Sequence, residues 1–419
     1  MKTDSYAMTT CEPLAVGSAL DQVAFASLCA FVFAVPWEES IPLLDGFMVG
    51  RWIGLLTVAI LALRIAVTDQ FRRPSVLHGL MVALMCWAGI SILWTIDRDG
   101  TVQRAVTYVQ LLAVVWMLWE LAVSEQRVLT LLQSYILGTS VLAITTIVNY
   151  ANGTQAADLW AEAGKTKWHD FRYSAYGINE NDLGLMLALS VPMTIYLLTR
   201  KRGAWTAALC WAHLGACFTA ILLCGSRGAL ISAIVGLSLF PMIMSRLPRW
   251  QRILFVVVCA AGLAIGIHLV PEEAWSRFQG LGDEISEGTL THRTVLWRAG
   301  LEAFRTHAMV GVGSGAYGAA VLRAVDMPFV AHNTFVSVLV ELGVTGALLL
   351  LALLASLYYS ACKMPYVEKC FWLIQLSVWA VGVCALTWEY FKPTWLLFGL
   401  LAAHFYAQRT TARRPSVSL

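Results

Sequence analysis

A dozen apolar runs of roughly 20 residues, separated mostly by short polar joints, constrain this chain more than any other feature. Wound as an α-helix, a run of that length matches the hydrocarbon thickness of a bilayer. The runs are Leu14 to Pro36, Phe47 to Val67, Val76 to Trp94, Ala105 to Val123, Val128 to Tyr150 and Leu183 to Thr199. They continue with Ala204 to Cys224, Gly228 to Met244, Ile253 to Val270, Asn333 to Tyr359, Cys370 to Trp388 and Thr394 to Ala407. Backbone groups in lipid must be satisfied within helices or closed barrels, and these runs are far too long for barrel strands. Hydrophobic residues form 58% and charged residues 13% of the 419 residues, a balance no soluble surface carries. The expectation is an all-α polytopic membrane protein, a single integral membrane domain over residues 1–419 with about twelve transmembrane helices.

Basic residues stay preferentially on the cytoplasmic side. With the N-terminus inside, the inner joints carry Arg72 and Arg73, Arg127, Arg200 to Arg202, Arg246, Arg249 and Arg252, Lys363 and Lys369, and Arg409, Arg413 and Arg414. The short outer joints are poorer in base, with Glu38, Glu39 and Asp45, then Asp97 and Asp99 beside Arg98. Both termini are therefore expected in the cytoplasm, and two long periplasmic loops follow, about 151–182 and 271–332. The net charge of +3 is mostly this inner bias and implies no nucleic-acid partner. No cleavable signal peptide is evident, so the first run is read as a retained anchor. The ten cysteines lie almost entirely in the apolar runs and read as small packing residues rather than a disulfide framework. No internal repeat of 20 to 50 residues is present.

In the second long loop, Thr291 to Thr306 reads as an amphipathic helix on the membrane surface, with Trp297, Leu301 and Phe304 on one side and Arg298, Glu302 and Arg305 on another. It stops near Gly311, and Gly311-Val312-Gly313-Ser314-Gly315 follows as a turn; an ordinary loop is favoured over a phosphate cradle because the lysine and flanking elements of a P-loop are missing. The polar stretch then ends at Ala331-His332-Asn333-Thr334, where a titratable imidazole stands at the mouth of a long apolar helix. A helix N-terminus and nearby arginines both disfavour imidazolium, so His332 is expected neutral near pH 7 and able to accept a proton. The plain alternative is a hydrogen-bonded interfacial histidine.

Arg227 sits in Cys224-Gly225-Ser226-Arg227-Gly228, where two apolar runs are joined by almost nothing. Alone it reads as an arginine snorkelling to headgroups. Beside Arg293 and Arg298, and with Lys165, Lys167 and Arg172 in the first long loop, it reads as part of an electropositive pocket for a pyrophosphate, which arginine's planar fork suits. The pair Asp97 and Asp99 offers two carboxylates to a divalent cation, but no third ligand is spaced to complete a site, and a solvated turn is the favoured reading. No cofactor is implied.

The chain resembles the O-antigen ligase and O-antigen polymerase-like family of bacterial inner-membrane proteins. The resemblance rests on Asn179-Glu180-Asn181, Gly225-Ser226-Arg227-Gly228, Arg293 to Trp297 followed by Gly311-Val312-Gly313, and His332-Asn333 with Glu341, Gly343 and Gly346. It implies a metal-independent glycosyltransferase that moves a polysaccharide from undecaprenyl pyrophosphate to lipid A-core oligosaccharide at the periplasmic face. Membrane lipids are the remaining partners. On that reading Arg227 and Arg293, with Arg298, Arg172 and Asn181, bind the donor, and His332 is the general base of an inverting transfer. The alternatives are an O-antigen polymerase or a protein-directed oligosaccharide ligase. From another class comes a lipid-linked sugar flippase, for which Arg64 is among the few charged intramembrane candidates.

Overall fold

The computed structural model describes residues 19–40, 42–43, 47–162, 172–200, 203–269, 293–325 and 329–412. Its helices are α1 (Ala19–Ala34), α2 (Val49–Thr68), α3 (Val76–Ile90), α4 (Arg98–Leu121), α5 (Glu125–Ala151), α6 (Ala156–Glu162), α7 (Glu180–Leu198) and α8 (Ala204–Leu223). They continue with α9 (Arg227–Leu237), α10 (Leu239–Ile243), α11 (Arg249–Leu269), α12 (Arg293–Thr306), α13 (Tyr317–Val325), α14 (Thr334–Cys362), α15 (Tyr366–Val383) and α16 (Lys392–Ala412). Apart from a two-residue antiparallel pairing of Pro42–Leu43 with Phe47–Met48, the described residues form an all-helical fold. A helix stands at each expected apolar run, with α9 and α10 sharing one. Among the described residues, eight spans are long and apolar enough to cross a membrane: the helices from α2 to α8 apart from α6, then Arg227–Arg246 and α14. Of the others, α1 has only 16 residues. In α15 and α16 polar side chains such as Glu368, Gln375 and His404 are spent on the interior.

The core centres on α7, where every residue from Leu183 to Leu198 is buried. A helix apolar all round belongs in the interior, and small residues set how closely its neighbours approach. Gly184 of α7 lies so close to Ala229 of α9 that an added Cβ would meet the alanine methyl at 2.5 Å.

One end of the bundle is tied by buried ion pairs. Arg64 of α2 lies 3.1 Å from Asp21 of α1 and 3.7 Å from Glu120 of α4, and Arg127 of α5 also pairs with Asp21. Nearby, Arg200 pairs with Glu125 at 3.0 Å and also with Glu368. Arg72, Arg127 and Arg200 come from joints that the basic-residue pattern assigns to the cytoplasm, and they meet here. Arg64 is thus locked between carboxylates rather than lining a cavity.

At the opposite end, α12 and α13 pack on the first half of α14 around a small second core of Leu296, Val312, Ala316, Tyr317, Val321, Ala331 and Val340. Trp297 and Phe304 lean on that core, whereas Leu301 is exposed. The helix expected to lie on the membrane surface therefore docks on protein, along a face turned toward Leu296 and Gly300. Residues 270–292 lie outside the described residues, as do Lys165 and Lys167, so the expected loops are described only in part.

Helix α14 is broken at Gly343, whose backbone is non-helical at φ 69° and ψ −170°. The break frees carbonyls that the glycine turn takes up: Val312 and Gly313 donate N–H to the Val340 and Glu341 carbonyls at 3.0 and 2.9 Å. Beyond it, the Val344 N–H donates to the Ala308 carbonyl at 2.9 Å. A Cβ at Gly343 would stand 2.5 Å from the Met309 carbonyl group and 2.6 Å from the Gly311 nitrogen. Gly343→Ala combines a left-handed conformation with a backbone clash, and should cost at least about 2 kcal/mol. The expected result is a lowered thermal unfolding midpoint in detergent; an unchanged midpoint would show that the break is not required.

Candidate active site

The resemblance residues converge at the end of the bundle where α4, α7, α9, α14 and α16 begin. Each helix start leaves N–H groups unpaired and a partial positive charge. Asn179 caps α7 by accepting from the Asn181 N–H at 2.9 Å, and Ser226 caps α9 by accepting from Ala229 at 3.4 Å. Asn333 caps α14, accepting from Phe335 and Val336 at 3.0 and 3.1 Å. Asp97 caps α4 through Gly100 at 3.0 Å, so this aspartate is occupied by its own helix. Among the described residues no three His, Cys, Asp or Glu side chains are grouped to hold a metal.

His332 stands just before the α14 cap with φ 48°, the left-handed region. For a residue other than glycine this conformation costs about 1 to 3 kcal/mol unless the surroundings fix it. They do so from two sides. The Trp297 indole donates to the Ala331 carbonyl at 2.8 Å, and the Asn333 amide donates to the Cys384 carbonyl at 3.1 Å. Thr334 adds a third tie, its hydroxyl donating to the Leu386 carbonyl and accepting from the Trp388 N–H. Burial, reinforced by the nearby Arg293 guanidinium, pushes the His332 imidazole down to about 4. It is neutral at physiological pH, a proton acceptor.

The arginines reach this end by different routes. Arg172 is buried, with its guanidinium 3.2 Å from the Glu180 carboxylate and donating to Asn181 Oδ1 at 3.4 Å. Its stem packs against Gly225, two residues before Arg227. Arg227 opens α9, half-buried, and a cation in a first turn opposes the helix dipole unless an anion is near. Gly228 in turn abuts Ala385, the neighbour of the Cys384 that holds Asn333. Arg172 thus lies against the turn that carries Arg227, Gly228 lies against the segment that holds Asn333, and Arg293 is near enough to act on the charge of His332. Arg298 is exposed on the side of α12 opposite buried Leu296.

The glycine turn is structural. Its Gly315 and Tyr317 N–H groups donate to the buried Glu341 carboxylate at 2.7 and 3.3 Å, and Ser314 N–H donates to Ser91 at 2.9 Å. Those donors are committed to protein groups.

Two groups of residues were not singled out from the sequence. Arg104 of α4 lies 3.9 Å from Glu389, and its guanidinium covers the Tyr390 ring at 3.3 Å. Ser337, one turn into α14, donates to Glu389 at 2.9 Å. Burial, with Glu341 nearby, pushes the Glu389 carboxyl up to about 7. Asp182 of α7 accepts from the Trp388 indole at 2.6 Å, tying α7 to the 384–391 connection. The available signal was weak: one acid directly after Asn179-Glu180-Asn181, one arginine just ahead of an apolar run, and a Glu-Tyr pair between two runs.

Against known proteins, residues 212–351 match the family model described as O-antigen ligase. The exopolysaccharide production protein ExoQ of Rhizobium meliloti (strain 1021) is 27% identical over 212 residues, 46% of this chain and 48% of that protein. The match spans about half the length of that curated relative. The family region contains Arg227, Arg293, the glycine turn, His332 and the break in α14, but not Arg172, Asn181 or Arg104.

Two outcomes follow from this geometry. With its pKa pushed to about 4, His332 should remain uncharged as pH falls through 6.5, where an ordinary imidazole is half-protonated. Nitrogen-15 shifts of histidine-labelled protein, with His332→Ala as the assignment control, should show a neutral ring at pH 5.5; a charged ring there refutes the burial argument. Arg172→Ala removes a charge-assisted contact to the buried Glu180 carboxylate and should destabilise the protein by about 2 kcal/mol, read as a lower unfolding midpoint. A midpoint equal to wild type would mean that Arg172 does not support the fold.

Proposed function

We propose that this chain, which belongs to the O-antigen ligase family, transfers polysaccharide from undecaprenyl pyrophosphate to lipid A-core oligosaccharide at the periplasmic face of the bacterial inner membrane. The observation that carries the reading is His332: an uncharged imidazole held in a left-handed backbone at a helix mouth, within the electrostatic reach of Arg293. Strain of this kind persists where the surrounding structure over-determines it, as at sites of chemistry.

In this mechanism Arg227 and Arg293 hold the donor pyrophosphate, with Arg172 and Asn181 forming the wall behind Arg227. Arg298 supplies only long-range attraction from its exposed face. The acceptor hydroxyl gives its proton to His332 while its oxygen bonds to the anomeric carbon of the donor sugar. The bond from that carbon to the pyrophosphate oxygen breaks, and the electron pair leaves with the pyrophosphate. Attack from the opposite face inverts the anomeric configuration. Fixed guanidinium groups and helix N-termini stabilise the growing negative charge, and these need no reorganisation as the bond breaks. They also take the place of a divalent metal, so the reaction is metal-independent.

A second reading keeps the chemistry and changes the acceptor to another lipid-linked glycan, which makes the enzyme a polymerase. Its support is the similarity to a protein named for exopolysaccharide production. Reconstitution with purified lipid-linked donor and either lipid A-core or a second donor molecule separates the two by product.

Loss of a general base costs roughly 10² to 10⁴ in rate. His332→Ala should therefore fall at least that far in the reconstituted transfer assay while inserting normally; wild-type turnover would remove His332 from the mechanism. Arg227→Lys keeps the charge but loses the fork and should turn over about tenfold or more slowly. Full activity would return Arg227 to headgroup contact. Transfer in excess chelator should be undiminished, and a loss there would reinstate a metal.

A further inference from the structure

A cleft of about 210 Å³ opens between the beginnings of α2, α7 and α16, the upper part of α4 and the end of α1. Its lining includes Glu39, Asp182, Gln110, Tyr390 and Phe391. Within the cleft, Glu38 is neutralised by Lys392, whose ammonium donates to both carboxylate oxygens at 2.5 and 2.6 Å. Among the described lining residues the other charged groups are the carboxylates of Glu39 and Asp182 and the guanidinium of Arg51. Among these same lining residues carboxylates outnumber cations, three to two, which does not suit an anion. Such walls do suit hydroxyl groups, which donate to carboxylates, alongside aromatic rings that pack on the apolar face of a sugar.

Helix α4 supplies an independent sign. Its outward residues Val102, Val106 and Val109 are exposed and apolar, as a lipid-facing helix requires, yet Gln110 is also exposed and lines the cleft, as does half-buried Thr107. Thr107 donates to its own helix at the Gln103 carbonyl, 3.0 Å away, so the exposed Gln110 amide is the group on this helix that suits a polar occupant.

The cleft also shares a wall with the site of His332. The chain between α15 and α16 lines the cleft through Tyr390 and Phe391, holds Asp182 through the Trp388 indole, and secures Asn333 and Thr334 through Cys384, Leu386 and Trp388. Phe391 stacks on Trp388 with the rings within 3° of parallel. A group seated in the cleft is therefore positioned by the same segment that positions the proposed base.

We propose that this cleft is a saccharide subsite: it seats an uncharged sugar unit of a glycan substrate, with Asp182, Glu39 and Gln110 hydrogen-bonding its hydroxyls and Tyr390 and Phe391 packing against its ring. The inference rests on the transferase reading, which supplies glycan at this end of the bundle. The sugar belongs either to the prenyl-linked donor or to the acylated acceptor, and the test separates these sources.

The test is photo-cross-linking in membranes of cells that make both substrates, in the His332→Ala background so that nothing turns over. p-Benzoylphenylalanine replaces Gln110 or Thr107 in the cleft, and Leu55, 60% exposed on α2, serves as the lipid-facing control. Adducts at Gln110 and Thr107 should carry periodate-oxidisable carbohydrate, while Leu55 adducts carry phospholipid alone. A prenyl chain on the glycan adduct identifies the donor as its source, and acyl chains identify the acceptor. Phospholipid alone at both cleft positions, or no adduct while Leu55 labels, overturns the proposal. In the active protein, Phe391→Ala should raise the KM for the identified substrate about tenfold; an unchanged KM for both substrates overturns it as well. Because cross-linking needs no turnover, a glycan-free cleft leaves the transferase reading standing, whereas full transfer by His332→Ala defeats that reading without touching the cross-link.

Discussion

The carboxylate of Glu341 is the point on which the end of the molecule that carries His332 is organised. It is buried inside α14, an expensive place for a charge, and it accepts from the Gly315 N–H at the end of the glycine turn and from the Tyr317 N–H that opens α13, with Arg104 of α4 in electrostatic reach. These bonds dictate where the turn lies. The turn in turn requires α14 to open at Gly343, because the Val340 and Glu341 carbonyls must point away from their own helix to meet it. The first half of α14 becomes a short, separately anchored helix, and His332 stands at its mouth. Remove the buried carboxylate, and the glycine turn, the break and the histidine lose their common reference.

The two ends of the bundle treat charge differently. At the end carrying Arg72, Arg127 and Arg200, cations and carboxylates are locked into pairs that tie helices together. At the other end several helices begin side by side, so their dipoles add positive potential to that of the arginines. Arg172 pairs with Glu180, and Arg293 acts on the charge of His332. This end is suited to receive an anion, and the cleft alongside, with its carboxylates, is suited to something uncharged. The proposed reaction between a pyrophosphate-linked glycan and a sugar hydroxyl would use both kinds of surface.

Much of this was legible in the residues. Apolar runs marked the helices because length and hydropathy suffice where lipid is the solvent. Arg293 and the step at His332 drew notice because charge is rare in such a chain. Arg298 drew the same notice, yet helical phase turns it away from Leu296 and the second core, and phase against a neighbouring helix is not written in a short amphipathic stretch. The surface helix was legible as a helix, but its partner was not, since the same apolar face fits lipid or protein. Arg104, Asp182 and Glu389 passed unmarked because each stands alone in sequence, and only the crossing of α4, α7 and the α15–α16 connection brings them to the same end.

The sequence by itself determined that this chain is helical and bound for a bilayer, and which residues were chemically out of place there. Both follow from local transfer energetics, residue by residue along the chain. Only the tertiary structure decided which of those residues meet. Asp182 is joined to Trp388, Arg104 to Glu389, and Asn333 to Cys384 by packing between segments far apart in sequence. It also decided that α14 must break, because the carbonyls that leave the helix at Gly343 are claimed by a turn some thirty residues earlier.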